Sequence, residues 1–343
     1  PRTDGRQQRE LHMNASFPTS LMGAAALAGL ALTSGQAMAA EGGTSAYLMG
    51  SRDSFSGIVP APGNYFGLDL VTFSGDITGV SINGLPIRST VDLDVNLAKL
   101  SMTHVFDSIV WGGTPAINVN IPILDAGINF DPLAPPALVG SNIEDSTSGI
   151  GDITVTPFVG WHRGNLHYSA ALSVFVPVGK YDTASVDLSP PVGVDALSNG
   201  KNIWTFQPVL SVTHFDPQVG WEVSASASFL FSTRNKATDY QTAPAFTLES
   251  AVMKHWKNGF AAGVSGYLYH QLTDDSGTGA ENTRKALGAD SLRAQAYALG
   301  PIVTFSSRIF EVPLNLKAKH YKEFGVKRRF ESDIFWCNAT MSF

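Results

Sequence analysis

The sequence predicts an all-β fold, a transmembrane antiparallel up-and-down β-barrel of about 12 strands with both termini on the periplasmic side. Three observations predict this fold. An apolar export signal precedes the main part of the chain, apolar and polar residues alternate over segments of about ten residues, and long connections alternate with short ones. Together these features are typical of barrels inserted in a bacterial outer membrane.

Residues 1–39 are interpreted as an N-terminal extension followed by a signal peptide. The apolar run from Leu21 to Leu32 has the length of a signal-peptide core and is too short to span a bilayer. Ala37-Met38-Ala39 is a small-x-small cleavage site. We therefore expect cleavage near Ala39 and export to the outer membrane.

The composition excludes several classes of protein. Charged residues are 15% of the chain, well below the roughly 25% of a soluble protein. The net charge of −6 argues against nucleic-acid binding, and the single cysteine, Cys337, excludes an internal disulfide. No linker divides the mature chain, so we expect a short N-terminal segment, 40–63, followed by one barrel, 64–343.

Alternation with a period of two predicts the strands. In 221–232, apolar side chains occupy one face and Glu222 with several serines occupies the other. Such segments are as long as tilted membrane strands, which need about 9–11 residues, whereas soluble strands average about 5–6. The predicted strands are 64–74, 91–106, 115–124, 150–162, 166–178, 203–215, 221–233, 245–256, 260–272, 294–305, 309–321 and 329–343.

The connections between these strands alternate in length, as periplasmic turns and extracellular loops do. The turns 163–165, 216–220, 257–259 and 306–308 are short and rich in turn-forming residues. The predicted long loops are 75–90, 125–149, 179–202, 234–244, 273–293 and 322–328. An even strand number places both termini on the periplasmic side.

The C-terminal strand ends in an alternating apolar face that includes Phe335, Met341 and the terminal Phe343. A last strand ending on an aromatic residue resembles the signal that outer-membrane barrels present to their assembly machinery. We expect the barrel-assembly machinery and outer-membrane lipid as partners.

If the apolar face meets lipid, the opposite face lines the lumen. That rule gives a set of candidate lumen-lining residues, with side chains of positive and of negative charge among them. They are Asp69, Asp92, Asp94, Asp152, His167, Glu222, Glu249, His255, Glu311, Lys317 and Lys319. They could form a network that fills the lumen, or they could flank a narrow pathway.

Two further regions leave alternatives open. Residues 40–63 could remain in the periplasm or fold into the lumen as a plug, and we favour the plug. Loops 125–149 and 179–202 carry apolar, Pro-rich pieces, which are unusual in exposed loops. They could fold over the barrel mouth and offer an apolar entry site to a substrate, or they could pack on each other.

The mature chain resembles a known family. Its start, Glu41–Tyr47 with Pro60–Phe66, and its central segments 149–158 and 175–182 resemble the meta-pathway phenol-degradation outer-membrane proteins. The motif residues that carry the resemblance are Gly149, Gly151, Asp152, Pro157, Pro177 and Gly179. The resemblance implies a transport channel for aromatic or other hydrophobic compounds, found with the enzymes that degrade them.

Three functions are therefore weighed. The first is passive uptake of a small hydrophobic or aromatic compound, without cofactor or metal, and the second is a closed structural or adhesive barrel. The third is an outer-membrane lipid hydrolase using His167 and Ser169, which have the spacing for one strand face. We expect no enzyme, because that face is the polar one and no Asn follows Ser169 to orient the histidine.

Overall fold

The computed structural model describes residues 41–82, 85–132, 139–140, 142–187, 189 and 192–343. The predicted signal peptide and the cleavage position near Ala39 lie outside the described residues. So do residues 133–138, 188, 190 and 191 of the two apolar loops.

The described chain contains strands and one short helix. In chain order they are β1 (Gly63–Ile82), β2 (Leu85–Val105), β3 (Thr114–Phe130), β4 (Ile143–Ile150), β5 (Ile153–Arg163), β6 (Leu166–Val176), β7 (Ser185–Asp187), β8 (Gly193–Asp195), β9 (Thr205–Asp216), β10 (Trp221–Ser232), β11 (Ala245–His255), β12 (Phe260–Gln271), α1 (Thr278–Ala286), β13 (Gln295–Ile309), β14 (Val312–Lys327) and β15 (Glu331–Ser342). No helix within these described ranges is both long and apolar enough to cross a bilayer.

The main sheet closes on itself. Its 13 strands pair antiparallel with their neighbours, and β1 pairs with both β2 and β15, which joins the first strand to the last. β4 and β5 follow one another along the same partner, β3, and together make one position of the barrel. The result is the predicted barrel of twelve strands, with β7 and β8 forming a separate two-stranded sheet.

The barrel is inverted relative to a soluble protein. On β10, Trp221, Val223, Phe229 and Phe231 are exposed on the outer face, while Glu222 is completely buried on the inner face. β9 repeats the pattern, with Leu210 exposed and polar residues such as Gln207 and Thr213 buried. An apolar outer face and a polar interior are what lipid on the outside requires.

The strand ends define two ends of the barrel. Short turns join β5 to β6, β9 to β10, β11 to β12 and β13 to β14 at one end, which we call the short-turn end. β1 also begins there, and Asn64 exchanges two backbone hydrogen bonds with Phe343. The opposite, long-loop end carries the connections 177–204, 233–244 and 272–294.

Two predicted loops are strand instead. Most of 75–90 continues β1 and β2 as a hairpin, with Gly79 at a positive φ of 80° where the register shifts. Residues 322–327 likewise extend β14. The apolar side chains of the hairpin, such as Ile77 and Val80, are buried on its inner face. Their packing with one another stabilises the parts of the strands that extend beyond the membrane.

Helix α1 is capped by a neighbouring loop. Its N-cap residue, Gly277, has no side chain to offer, and the carboxylate of Asp239 accepts the N–H of Thr278 at 2.9 Å. Arg234 also donates to Asp239 at 2.7 Å. Hydrogen bonds from the backbone and the side chain of Thr278 lower the pKa of Asp239 most, and the hydrogen bond from Arg234 lowers it further. Together they bring this pKa from its ordinary 3.8 to about 2.

This capping bond predicts an acid response. Because the folded-state pKa of Asp239 is lowered, its stabilising contribution is full above pH 3.8 and is lost as pH falls through about 2. Hydrogen exchange by mass spectrometry should show the amides of α1 losing protection over that range. Asp239→Ala should expose them at every pH, whereas Asp187→Ala, in another loop, should not.

Candidate functional site

The barrel interior has two parts. Residues 41–62, here called the lumenal segment, run along the interior and contact inward-facing side chains of the strands. A cavity of about 910 Å³ lies beside this segment. The charged residues of the wall hold the segment, and apolar residues line much of the cavity.

The lumenal segment runs from the long-loop end to the short-turn end. The Glu41 carboxylate accepts a hydrogen bond from Tyr181 at 3.2 Å and one from Asn235 at 2.6 Å, both in the long loops. At the other end, the backbone N–H of Gly57 donates to Thr213 at 3.0 Å. Both barrel termini lie at the short-turn end, as the strand number predicts, but the segment carries residue 41 back to the opposite end.

Midway along the lumen, two contacts hold the segment to Glu249 of β11. The Tyr47 hydroxyl donates to one carboxylate oxygen, and the backbone N–H of Arg52 donates to the other at 2.8 Å. Glu249 is 2% exposed, so both of its oxygens find partners away from water.

A buried ion-pair cluster lies next to it. Asp53 of the segment accepts from Lys317 at 2.5 Å and from Lys319 at 2.6 Å, both on β14. Lys319 also donates to the Gly50 carbonyl and lies 3.9 Å from the ring centroid of Trp336. One carboxylate thus compensates two lysine charges inside the barrel.

The short-turn end is fastened by Glu222. Its carboxylate accepts from the Ser54 hydroxyl at 2.8 Å, from the Phe55 N–H at 2.6 Å and from the Ser224 hydroxyl at 2.6 Å. His255 lies 2.6 Å from the same carboxylate, and the Phe55 ring lies 4.8 Å from the imidazole. Phe55 adopts a positive φ of 58°, a conformation that these contacts maintain.

The cavity wall near the long-loop end is apolar. Eight buried side chains from the extended parts of β1, β2 and β3 form this surface, here called the apolar wall: Val80, Ile82, Val91, Leu93, Val95, Ala126, Ile128 and Phe130. Loop residues such as Leu197 pack against it. Of the two alternatives left open for the apolar loops, the described part of loop 177–204 folds inward against the apolar wall.

A family model matches much of the chain. The family described as "Putative MetA-pathway of phenol degradation" matches residues 72–339. The chain belongs to this phenol-degradation family. A search of curated protein sequences finds no match.

Solved structures share the fold. An outer-membrane channel from Pseudomonas putida F1 aligns with a TM-score of 0.63 at 15% identity, covering 84% of this chain and 98% of that one. The β-domain of a Bordetella autotransporter gives 0.43 at 12% identity, covering 81% and 99%. A FadL homologue from Pseudomonas aeruginosa gives 0.41 at 9% identity, covering 82% and 89%. The first of these supports the barrel fold.

Most of the phenol-degradation motif residues lie close to the break between β4 and β5. Gly149 and Gly151 flank the break between β4 and β5, and Asp152 accepts the N–H of Gly179 at 3.0 Å and of Lys201 at 2.8 Å. Pro177 ends β6 before Gly179, and Pro157 lies opposite Ile117 in the ladder between β3 and β5. The motif thus ties loop 177–204 to the barrel.

The remaining sequence-predicted residues are placed as follows. Asp69 faces inward and binds Lys99 at 3.3 Å and the Trp336 indole at 2.7 Å. His167 lies near the short-turn end with its Nδ1 2.6 Å from that of His162. Ser169 is buried on the inner face, away from lipid, which opposes the hydrolase hypothesis. Among the described residues, no three His, Cys, Asp or Glu are grouped to hold a metal ion.

Three of the lumen-lining predictions are wrong. Asp92 and Asp94 point outward and are exposed, while Val91, Leu93 and Val95 face inward. This part of β2 extends past the lipid, so its outer face meets water and its inner face lines the cavity. Glu311 lies in the tight turn between β13 and β14 with a positive φ of 66°, and its side chain is 94% exposed.

The apolar wall was missed for the same reason. Within 91–106, the apolar residues Val91, Leu93 and Val95 have one parity, while Leu100 and Met102 have the other. That change of parity was the available signal. It marks the point where β2 leaves the membrane.

Proposed function

We propose that this barrel is an outer-membrane channel for the passive uptake of small hydrophobic compounds, aromatic ones among them, in support of their degradation. The observation that carries the proposal is the apolar wall, which lines a cavity at the long-loop end of a membrane barrel. A cavity of about 910 Å³ is of the size that holds a small organic molecule.

We also propose that the lumenal segment is a plug. Its carboxylate and backbone contacts with Glu249, Lys317, Lys319 and Glu222 hold it inside the lumen, beside the cavity. Such a plug would block ions and water while a hydrophobic compound collects against the apolar wall. The same filling also supports the second candidate, a closed structural barrel without transport.

Uptake assays separate the two candidates. In a host that lacks the gene, expression of the barrel should increase accumulation of labelled naphthalene in energy-depleted cells, because diffusion needs no energy source. Accumulation of a labelled sugar of similar size should not change. Equal naphthalene accumulation with and without the barrel would favour the structural role.

A matched pair of variants tests the apolar wall. Leu93→Asp places a carboxylate on the wall and should lower naphthalene uptake about tenfold, since burying a leucine contributes about 1.5–3 kcal/mol. Asp92→Asn, at the exposed neighbouring position, should leave uptake unchanged. Equal effects of the two changes would show that the wall does not bind the substrate.

The export and assembly features complete the proposal. We propose cleavage near Ala39 and recognition of the last strand by the barrel-assembly machinery. Phe335 and Phe343 project outward, 52% and 66% exposed, and the Phe343 ring packs 6.0 Å from Phe66. Mass spectrometry of the purified protein tests the cleavage. The yield of heat-modifiable barrel in Phe343→Ala tests the assembly signal.

A further inference from the structure

The cations of the cavity differ in how they are paired. Lys99 binds Asp69 at 3.3 Å, Lys317 binds Asp53 at 2.5 Å, and Arg329 lies 3.8 Å from Glu323. Lys201 donates to the Thr44 hydroxyl at 2.5 Å and to the Glu41 carbonyl at 3.3 Å. Lys99, Lys317 and Arg329 each lie within 4.0 Å of a carboxylate, and Lys201 donates to two oxygens, although the Nε of Arg329 is buried without a partner.

Among the described residues, Arg52 differs from these four because its side chain makes a single hydrogen bond and no ion pair. Its guanidinium donates one hydrogen bond, from Nη2 to the Ser173 hydroxyl at 2.9 Å, and its Nε is buried without a partner. Within the described ranges, no carboxylate lies within 4.0 Å of this guanidinium, although Arg52 lines the cavity. A guanidinium carries five N–H donors, and leaving most of them unused inside a protein is costly.

The neighbours of Arg52 also have unused hydrogen-bonding capacity. The Ser173 hydroxyl accepts from Arg52 and from Thr156 at 2.9 Å, so its own proton remains to be donated. Gln207, opposite Ser173 in the ladder between β6 and β9, has a buried side-chain oxygen without a partner. Arg52, Ser173, Thr156 and Gln207 all line the same cavity as the apolar wall. We call these four residues the polar floor.

We propose that the channel selects hydrophobic compounds that carry a carboxylate, with the acid group bound by Arg52 and Ser173 and the apolar body against the apolar wall. This inference rests on the proposed function and adds its substrate class. A carboxylate matches the planar fork of a guanidinium, with which it forms two parallel N–H···O bonds. Ser173 supplies a further donor.

The surrounding charges are compatible with such an anion. Glu249, a buried carboxylate that attracts the Arg52 charge, has its oxygens bonded to the Tyr47 hydroxyl and to the Arg52 backbone N–H. Asp53 is compensated by its two lysines. The guanidinium N–H groups of Arg52 that make no hydrogen bond within the described residues are therefore left to a ligand, and a purely apolar compound would give them no acceptor.

The test uses two probes with the same apolar body. Calorimetric titration of the full-length protein in detergent at neutral pH compares 4-phenylbutyrate, which is ionised, with 4-phenylbutanol, which is neutral. We expect the wild type to bind the carboxylate about tenfold more tightly, as charge-assisted hydrogen bonds imply. Arg52→Gln should abolish this preference, and Arg52→Lys should retain part of it.

The control is Arg234→Gln, the same chemical change in an exposed loop residue outside the cavity lining. It should keep the preference. If Arg52→Gln weakens both probes equally, or leaves the preference intact, the charge selection is wrong. If the wild type binds both probes equally, the inference fails while hydrophobic uptake stands, and if it binds neither, the proposed function fails as well.

Discussion

Replacing Asp53 by alanine should open the lumen to ions and destabilise the barrel by about 3–5 kcal/mol, the cost of removing one partner from a buried ion pair. Asp53 is 2% exposed and is the shared partner of Lys317 and Lys319. Without it, two like charges face each other in a closed interior. The lumenal segment would then lose its strongest attachment midway along its course.

Planar-bilayer recording and urea unfolding measure the two effects. The wild type should conduct little, and Asp53→Ala should show frequent stepwise openings together with a lower unfolding midpoint. Asp94→Ala removes the same charge from an exposed outer position and should change neither property. A closed, fully stable Asp53→Ala barrel would show that the ion-pair cluster does not hold the segment.

A rescue variant separates lost attachment from unpaired charge. The variant adds Lys317→Met and Lys319→Met to Asp53→Ala. It therefore lacks the two lysine charges as well as the aspartate. Because buried ion pairs replaced by apolar residues are often neutral for stability, the unfolding midpoint should recover. The conductance should persist, since the segment still lacks its anchor. Recovery of both would mean that lysine repulsion alone opens the lumen.

The strands were predictable because one physical rule governs most of the chain. Wherever the outer face meets lipid, apolar residues point outward, and this rule correctly assigns both faces of β10 and the inward positions of Lys317 and Lys319. It fails on the extended hairpin of β1 and β2, where water replaces lipid outside. There Asp92 faces solvent and Leu93 faces the cavity.

The contacts of the lumenal segment could not be predicted. The sequence places Glu222, Glu249 and Lys319 on inner faces, but nothing in it says that Asp53 and the Phe55 backbone lie against them. These contacts join residues 167 to 266 positions apart, and alternation carries information only along one strand. Arg52, whose missing partner suggests the substrate class, was invisible for the same reason.

Glu222→Ala should release the short-turn end of the segment while leaving the Asp53 cluster in place. The carboxylate is fully buried and binds Ser54, Phe55 and His255. Its loss therefore leaves several buried hydrogen-bond donors without an acceptor. Since hydrogen bonds to a charged group each contribute about 1.5–3 kcal/mol, we expect a stability loss of at least about 3 kcal/mol.

The release can be measured by labelling. A cysteine placed at Ser56, in a background where Cys337 is serine, should react slowly with a membrane-impermeant maleimide in the otherwise unchanged barrel and much faster with Glu222→Ala. Glu222→Gln keeps the shape and one acceptor oxygen and should give an intermediate rate. Labelling that is equally slow in all three would show that residues 54–57 are held by packing of the Phe55 ring against Phe215 and His255, and not by the carboxylate.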